Sequence, residues 1–157
     1  MKKYVFFFLF FVLLSGCTEG CDVRGIKVSQ EMIDGGDMNG IDYCSLYSNA
    51  LDGNSFCIKD YSTIGTFDGG FINVHGVYLI RLIDRLGDYK FVKAIEGISQ
   101  DEKSIIGLYI EAGMDIYGEY YTGEGGVEYT SIKDFWKQHP KIFHFIKEST
   151  IESAAVE

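Results

Sequence analysis

The apolar run from Val5 to Leu14, ten residues long, limits how much of this chain can enter a folded domain. Lys2 and Lys3 precede the run, and two small residues follow it. A helix rises about 1.5 Å per residue, so ten residues cover about 15 Å, roughly half the hydrocarbon thickness of a bilayer. A basic start followed by a short apolar run is typical of a secretory signal peptide. We therefore expect residues 1–16 to be removed.

The run closes on Leu14, Ser15, Gly16 and Cys17, a branched apolar residue, two small residues and a cysteine. This tetrapeptide resembles the lipobox of bacterial lipoproteins. The resemblance implies that diacylglycerol is attached to the Cys17 thiol and that cleavage just before Cys17 makes it the mature N-terminus. Acyl chains contribute about 0.8 kcal/mol per buried methylene, so two or three of them hold a protein firmly on a membrane. A secreted protein without lipid is the alternative.

Thr18, the residue after the lipidated cysteine, is uncharged. In the lipoprotein class, this pattern is usual for proteins sent to the outer membrane of a host with two membranes, whereas an acidic residue there can retain them. The resemblance thus implies an anchor on the periplasmic face of the outer membrane. In a host with one membrane, the domain would lie on the outer face of the plasma membrane.

The 141 residues that remain are enough for one domain, which at this size buries about two thirds of its unfolded surface. Loss of Lys2 and Lys3 changes the formal net charge from −9 to −11. Nucleic-acid binding requires a concentrated positive surface, so this charge argues against such a partner. It also disfavours anionic headgroups, which leaves the lipid on Cys17 as the predicted membrane contact. Cationic partners would be steered toward the domain.

Three cysteines, Cys21, Cys44 and Cys57, remain once Cys17 carries lipid. Export places them in an oxidising compartment, where one disulfide and one left-over thiol are expected. The residues between Cys44 and Cys57 are polar and turn-prone, and a hairpin centred near Ala50 would bring these two cysteines opposite each other. We predict this pair, although spacing does not choose among the three possible pairings.

The pattern of the mature chain predicts an α+β fold, mainly an antiparallel β meander with a C-terminal helix packed on the sheet. Residues 17–40 are rich in glycine and aspartate and are predicted to form a tether, with one short helix after Ser29. Residues 41–148 are predicted to form a single globular domain, and residues 149–157 a frayed tail.

Asp68-Gly69 is the strongest local signal, because this dipeptide suits a two-residue hairpin turn between strands at residues 62–67 and 70–74. From residue 72 to residue 82 every second position is apolar or glycine, which is the period of a strand. Residues 78–86 also allow a second interpretation, a helix ended by Gly87.

Alternation continues after Gly87 and predicts further strands at residues 89–95, 104–112 and 114–121. Short polar turns join these segments, as expected of an antiparallel meander. The period then changes to that of a helix, with a stripe at Ile132, Phe135, Trp136 and His139. Thr130 or Ser131 can cap this helix. Pro140, the only proline, lacks an amide hydrogen and should kink or restart it.

Residues suited to metal binding or catalysis are few. Four oxygen-bearing side chains in one short stretch could ligate a hard cation: Asp34, Asp37, Asn39 and Asp42. Their spacing does not fit a calcium-binding EF-hand loop, which needs a carboxylate where Ser45 lies. His75, His139 and His144 lack metal-ligand spacing, so structural roles are favoured. No nucleophile elbow, phosphate loop, HExxH or CxxC motif occurs in the sequence, and we predict no metal, no cofactor and no enzymatic activity.

Acidic residues and tyrosines are interleaved over residues 98–128, which hold seven acidic side chains and one basic side chain, Lys103. Tyrosines supply rigid contact area, and carboxylates select which charged partners can approach. We predict a binding face on these strands, formed by Glu111, Asp115, Tyr117, Glu119, Tyr120 and Tyr121. A docking face for a basic protein, a sugar platform, and outward carboxylates with no partner are the open interpretations.

Three functions follow from these features. We expect a membrane-tethered binding module of the bacterial envelope that neutralises a cationic protein, as inhibitor and immunity lipoproteins do, although no motif is shared with either. A structural or assembly lipoprotein of the envelope is the first alternative. A small hydrolase with paired carboxylates as acid and base is the second.

Overall fold

The computed structural model describes residues 20–65, 69–120 and 128–148, which are mostly helical. Their one sheet has two short antiparallel strands, β1 Asp22–Val23 and β2 Ile26–Lys27. The predicted β meander is therefore wrong, and so is the packing of a C-terminal helix on a sheet. The turn at Asp68, the tail from residue 149 and the segment before residue 20 lie outside the described residues.

Eight α-helices follow the strands in this part of the chain. Their bounds are α1 Gln30–Met38, α2 Tyr43–Leu51, α3 Ser55–Ser62, α4 Gly70–Leu86, α5 Asp88–Ala94, α6 Gln100–Tyr120, α7 Ile132–Gln138 and α8 Pro140–Phe143. A π-helix, His144–Glu148, continues α8. Within residues 20–65, 69–120 and 128–148, no helix combines the length and the apolar character needed to cross a bilayer.

Helix α4 lies at the centre of the domain, and its burial explains why alternation predicted a strand there. Every residue from Val74 to Ile80 is buried, as are Leu82 and Ile83. A helix buried on all sides carries apolar residues at nearly every position, so a period of two can be found in it by chance. The second interpretation, a helix ended by Gly87, is confirmed: Gly87 has a φ of 75°, and its amide donates to the Ile83 carbonyl at 2.7 Å.

Helix α6 replaces two predicted strands, and the exposure of Leu108 shows why. A strand with Ile106 and Ile110 facing the core would also bury Leu108, but Leu108 is 52% exposed. Ile106, Ile110, Gly113 and Tyr117 are buried, at spacings of three to four residues. This spacing forms one face of a helix.

Helices α4 and α6 pack along each other more extensively than any other pair among the described elements. They meet at two glycines. A Cβ atom on Gly76 would lie 2.0 Å from the Tyr109 carbonyl oxygen, and one on Gly113 would lie 2.3 Å from the Gly76 carbonyl carbon. The two main chains are therefore in direct contact, which only glycine permits at both positions.

The two C-terminal α-helices begin at the predicted cap and at the predicted proline. The Ser131 hydroxyl accepts a hydrogen bond from the Asp134 amide at 3.3 Å and caps α7. Helix α7 ends at Gln138, and Pro140 begins α8. The predicted restart at Pro140 is confirmed, but α8 packs on α5 and the π-helix packs on α6.

The first described residues are tied to the helical core. A disulfide joins Cys21 to Cys44, with their Cα atoms 6.4 Å apart. The Tyr78 hydroxyl accepts from the Ser29 amide at 3.0 Å and donates to the Lys27 carbonyl at 2.9 Å. The short helix predicted after Ser29 is confirmed as α1, and β1, β2 and α1 all lie within the stretch that the sequence predicted as a tether.

The predicted Cys44–Cys57 disulfide is wrong. Helix α2 continues through Leu51, so the hairpin near Ala50 that would have paired these cysteines does not form. Cys57 lies in α3 as a partly buried free thiol. Cys21 instead approaches the first turn of α2, because the Val28 amide donates to the Cys21 carbonyl at 2.8 Å and turns the chain back onto the core.

Candidate functional site

Five of the six predicted binding residues belong to one helix, α6, and the sixth, Tyr121, lies outside the described residues. The exposed positions of α6 recur at helical spacing and include Asp101, Leu108, Glu111 and Asp115, which we call the α6 outer face. Glu111 and Asp115 are four residues apart and so are neighbours on the helix surface. The structure thus brings the two predicted carboxylates together on a helix instead of a strand.

Tyr117 does not belong to this face and is 2% exposed. Its ring packs against that of Tyr129, with the centroids 5.7 Å apart. Tyr117 lies two residues beyond Asp115, which is about 200° around a helix and points its side chain to the core. The side chains of Glu119 and Tyr120, and the whole of Tyr121, lie outside the described residues.

The α6 outer face carries excess negative charge. One cation reaches it from the described part of the chain: the Lys147 ammonium lies 2.5 Å from a Glu111 carboxylate oxygen, with both side chains more than a third exposed. An exposed pair of this kind contributes about 0–1 kcal/mol. Lys103 turns away, with its ammonium 4.3 Å from the centroid of the Phe145 ring. Like charges at Glu111 and Asp115 then repel each other by about 0.2–0.5 kcal/mol.

A second cluster joins four polar side chains from separate elements, which we call the His139 clamp. Its members are Asp84 in α4, Asp88 at the start of α5, Tyr129 and His139. His139 Nδ1 lies 2.5 Å from Asp88 Oδ1, and His139 Nε2 lies 3.2 Å from Asp84 Oδ1. The Tyr129 hydroxyl donates to Asp84 Oδ1 and lies 2.6 Å from His139 Nε2. These side chains are largely buried, with Asp84 9% exposed and His139 10% exposed.

The clamp holds His139 as a cation. Carboxylates only accept hydrogen bonds, so a ring with a carboxylate oxygen at each nitrogen needs a proton on both. Burial lowers the pKa of His139, but the hydrogen bonds and charges of Asp84 and Asp88 outweigh burial and raise it. Because both nitrogens are already bonded within the protein, neither is free to act as a general base.

His75 lies in the opposite environment. It is fully buried in α4 among tyrosine rings, and its Nδ1 lies 2.9 Å from the Tyr43 hydroxyl, which in turn lies 2.6 Å from the Tyr61 hydroxyl. Burial lowers the pKa of His75 to about 3, so the ring is neutral. This aromatic cluster fixes the crossing of α2, α3 and α4, and it has no opening to solvent at His75.

Two of the four oxygen-bearing side chains that could ligate a cation, Asn39 and Asp42, serve the ends of helices. The Asp42 carboxylate accepts a hydrogen bond from the Ser45 amide at 3.0 Å and caps α2. This hydrogen bond lowers the pKa of Asp42. The Asn39 amide donates to the Gly35 carbonyl at 2.8 Å at the end of α1. Across residues 20–65, 69–120 and 128–148, no three acidic, histidine or cysteine side chains are arranged to hold a metal ion.

Sequence reasoning missed the clamp because its members are far apart in the chain. Asp84 and Asp88 are four residues apart, a spacing that would have put two carboxylates on one side of a helix, but His139 lies 55 and 51 positions further on. No family model, curated protein or solved structure matches this chain. Its function therefore has to be inferred from its own residues.

Proposed function

We propose that this chain is a lipid-anchored protein of the bacterial envelope whose helical domain binds a cationic protein through the α6 outer face. The lipobox at Leu14 to Cys17 supports the anchor. The exposed pair of carboxylates at Glu111 and Asp115 is the observation that carries the binding proposal.

The disulfide between Cys21 and Cys44 supports export, because such bonds persist in oxidising compartments. Because the disulfide fixes Cys21 to the domain, it also limits the length of chain between the lipid and the domain. Cys21 lies four residues beyond Cys17, a distance of at most about 14 Å in a fully extended chain. A domain held this closely meets partners that are on the membrane or diffuse next to it.

The α6 outer face is suited to a basic partner. Glu111 and Asp115 repel each other in the free protein, and a cationic surface would remove that cost. Leu108 adjoins them and supplies an exposed apolar contact beside the charges. The formal net charge, −9 for the full sequence and −11 without Lys2 and Lys3, speeds encounter with cationic proteins and slows encounter with acidic ones.

Capture of partners from envelope extracts at low and high salt tests the proposal. Glu111→Gln with Asp115→Asn should weaken capture about tenfold at low salt, because two rim charges together contribute about 1.4 kcal/mol. Glu31→Gln with Asp37→Asn on α1 is the matched control, since it removes two exposed charges from another helix. Capture that falls equally in both variants would contradict a role for α6 and indicate a response to net charge alone.

An assembly lipoprotein is the second candidate, and exposed apolar side chains favour it. Phe56 is 81% exposed and Met38 is 76% exposed, although large apolar side chains usually lie in the core. Such exposed apolar side chains are suited to contact with another protein. A partner bound through these residues would be captured equally well at low and high salt. Phe56→Ser would then abolish capture, and the α6 variants would not.

A further inference from the structure

The His139 clamp connects the C-terminal helices to the body of the domain. Tyr129 and His139 flank α7, whereas Asp84 and Asp88 belong to α4 and α5. The Lys141 amide, at the start of α8, also donates to Asp88 Oδ2 at 2.9 Å. We propose that the His139 clamp is a pH-dependent latch, in which protonated His139 holds α7 and α8 on α4 and α5 and loss of its proton releases them.

The closed latch satisfies three proton donors with two carboxylates. The Nδ1 proton of His139 goes to Asp88, and the Nε2 proton is shared between the Tyr129 hydroxyl and Asp84. The Tyr129 hydroxyl donates its own proton to Asp84. One positive charge thus lies between two negative charges, and the buried group is left with a single net negative charge.

Loss of one proton removes the partners of Asp84. A neutral ring that keeps its Nδ1 proton for Asp88 turns an Nε2 lone pair toward Asp84 and toward the Tyr129 oxygen. Tyr129 can then donate to Nε2 at 2.6 Å instead of to Asp84. Asp84 Oδ2 already has no hydrogen-bond partner among the described residues, so the whole carboxylate would be buried without a donor. A buried charge in that state must reach water, which requires the latch to open.

The other charged and titratable groups around His139 do not replace this switch. Asp134 on α7 is bound to the Thr130 and Ser131 segment, and the Lys141 ammonium lies 4.9 Å from the centroid of the Tyr89 ring. The pKa of Tyr129 is raised by burial and by the hydrogen bond to Asp84, so its hydroxyl stays protonated. Tyr117, which packs against Tyr129, is buried and contributes a ring contact.

The direction of the pH dependence follows from His139 alone. Its pKa in the closed latch lies above that of a free histidine, near 6.5, so the latch is closed below about pH 6.5. Between the pKa of a free histidine and the pKa of His139 in the closed latch, the equilibrium shifts toward the open form tenfold for each pH unit. Above the pKa of the closed form, no further shift is expected.

Proton NMR of the whole protein and hydrogen exchange measured from pH 6 to pH 9 test the latch together. The pKa of His139 should lie above that of a free histidine, near 6.5. Exchange in residues 132–148, corrected for intrinsic rates, should rise by about tenfold per pH unit from about pH 6.5 to the pKa of His139 and stay constant above it. Residues 100–117 of α6 should keep their protection. A His139 pKa at or below that of a free histidine, or pH-independent protection of residues 132–148, would overturn the proposal.

Two substitutions separate a latch from a merely structural contact. Asp84→Asn removes the charge that is left without a donor, so it should flatten the pH dependence of exchange while keeping the shape of the side chain. His144→Gln removes an exposed histidine from the same segment and should leave the pH dependence unchanged. If Asp84→Asn does not fold, the NMR titration of the unaltered protein still decides the outcome.

Discussion

Gly76→Ala tests the contact on which the helical core depends. The added Cβ would lie 2.0 Å from the Tyr109 carbonyl oxygen, and 2.7 Å and 2.8 Å from the amide nitrogen and Cα atom of Gly113. Ordinary contact begins near 3.4 Å, so α4 and α6 must separate by more than an ångström. The atoms that have to move belong to the main chain of α6 and cannot rotate away as a side chain would.

The expected loss of stability is about 2 kcal/mol. Overpacking of a core costs about 1–3 kcal/mol, and a clash with main chain lies at the upper end. Alanine recovers about 1 kcal/mol because it favours helix more than glycine does. Against a total stability of about 5–15 kcal/mol, this loss should lower the urea midpoint by about 1 M.

Urea unfolding followed by circular dichroism at 222 nm measures the effect. Gly118→Ala is the matched control, since it makes the same change at a glycine of α6, the other helix of this contact, where a Cβ would meet no atom within 4 Å. It should raise stability by up to about 1 kcal/mol. A midpoint for Gly76→Ala equal to or above that of the unchanged protein would refute the crossing of α4 and α6 at these glycines.

Two other predictions concern single side chains. Because the pKa of buried His75 is lowered to about 3, protonation favours the unfolded chain as the pH falls below about 6.5, and stability should be lost between pH 6.5 and pH 3. His75→Phe should reduce the drop in the urea midpoint between pH 7 and pH 4. An equal drop in the variant and the unchanged protein would contradict a neutral, buried His75 ring. Asp42→Ala should cost about 1 kcal/mol because α2 loses its cap, whereas Asp42→Asn should cost much less. Equal losses in the two Asp42 variants would rule out capping as the cause.

The sequence was informative where one residue has a local effect on the backbone. Pro140 restarts a helix because it has no amide hydrogen, and Gly87 ends one because it adopts positive φ. Ser131 caps α7 for the same local reason. Such effects do not depend on the rest of the fold, so they could be predicted without it.

Periodicity failed in α4 and α6 for different reasons. The middle of α4 is apolar on every side, whereas α6 alternated because exposed Leu108 lies between buried Ile106 and Ile110. The close contact of Gly76 with Gly113 depends on how the two helices pack, so neither segment alone predicts it. The wrong disulfide followed from the wrong secondary structure, because a hairpin and a helix place Cys44 differently. The exposure of Glu111 and Asp115 could be predicted because charged side chains favour the surface of a strand or a helix alike.

Long-range polar contacts could not be predicted at all. The partners of His139 are set by how α4, α5 and α7 pack, and nothing near His139 in the chain indicates two carboxylates. The same holds for His75, whose pKa is lowered by burial among tyrosine rings from three other elements.

Intact-mass and peptide mass spectrometry of the protein purified from membranes, without reduction, tests most directly whether this is an exported, lipid-anchored domain. We predict a chain that begins at Cys17 with its lipid attached, a peptide pair linked through Cys21 and Cys44, and Cys57 as a free thiol. An unmodified Cys17 within an uncleaved chain, or Cys57 linked to Cys44, would contradict the account.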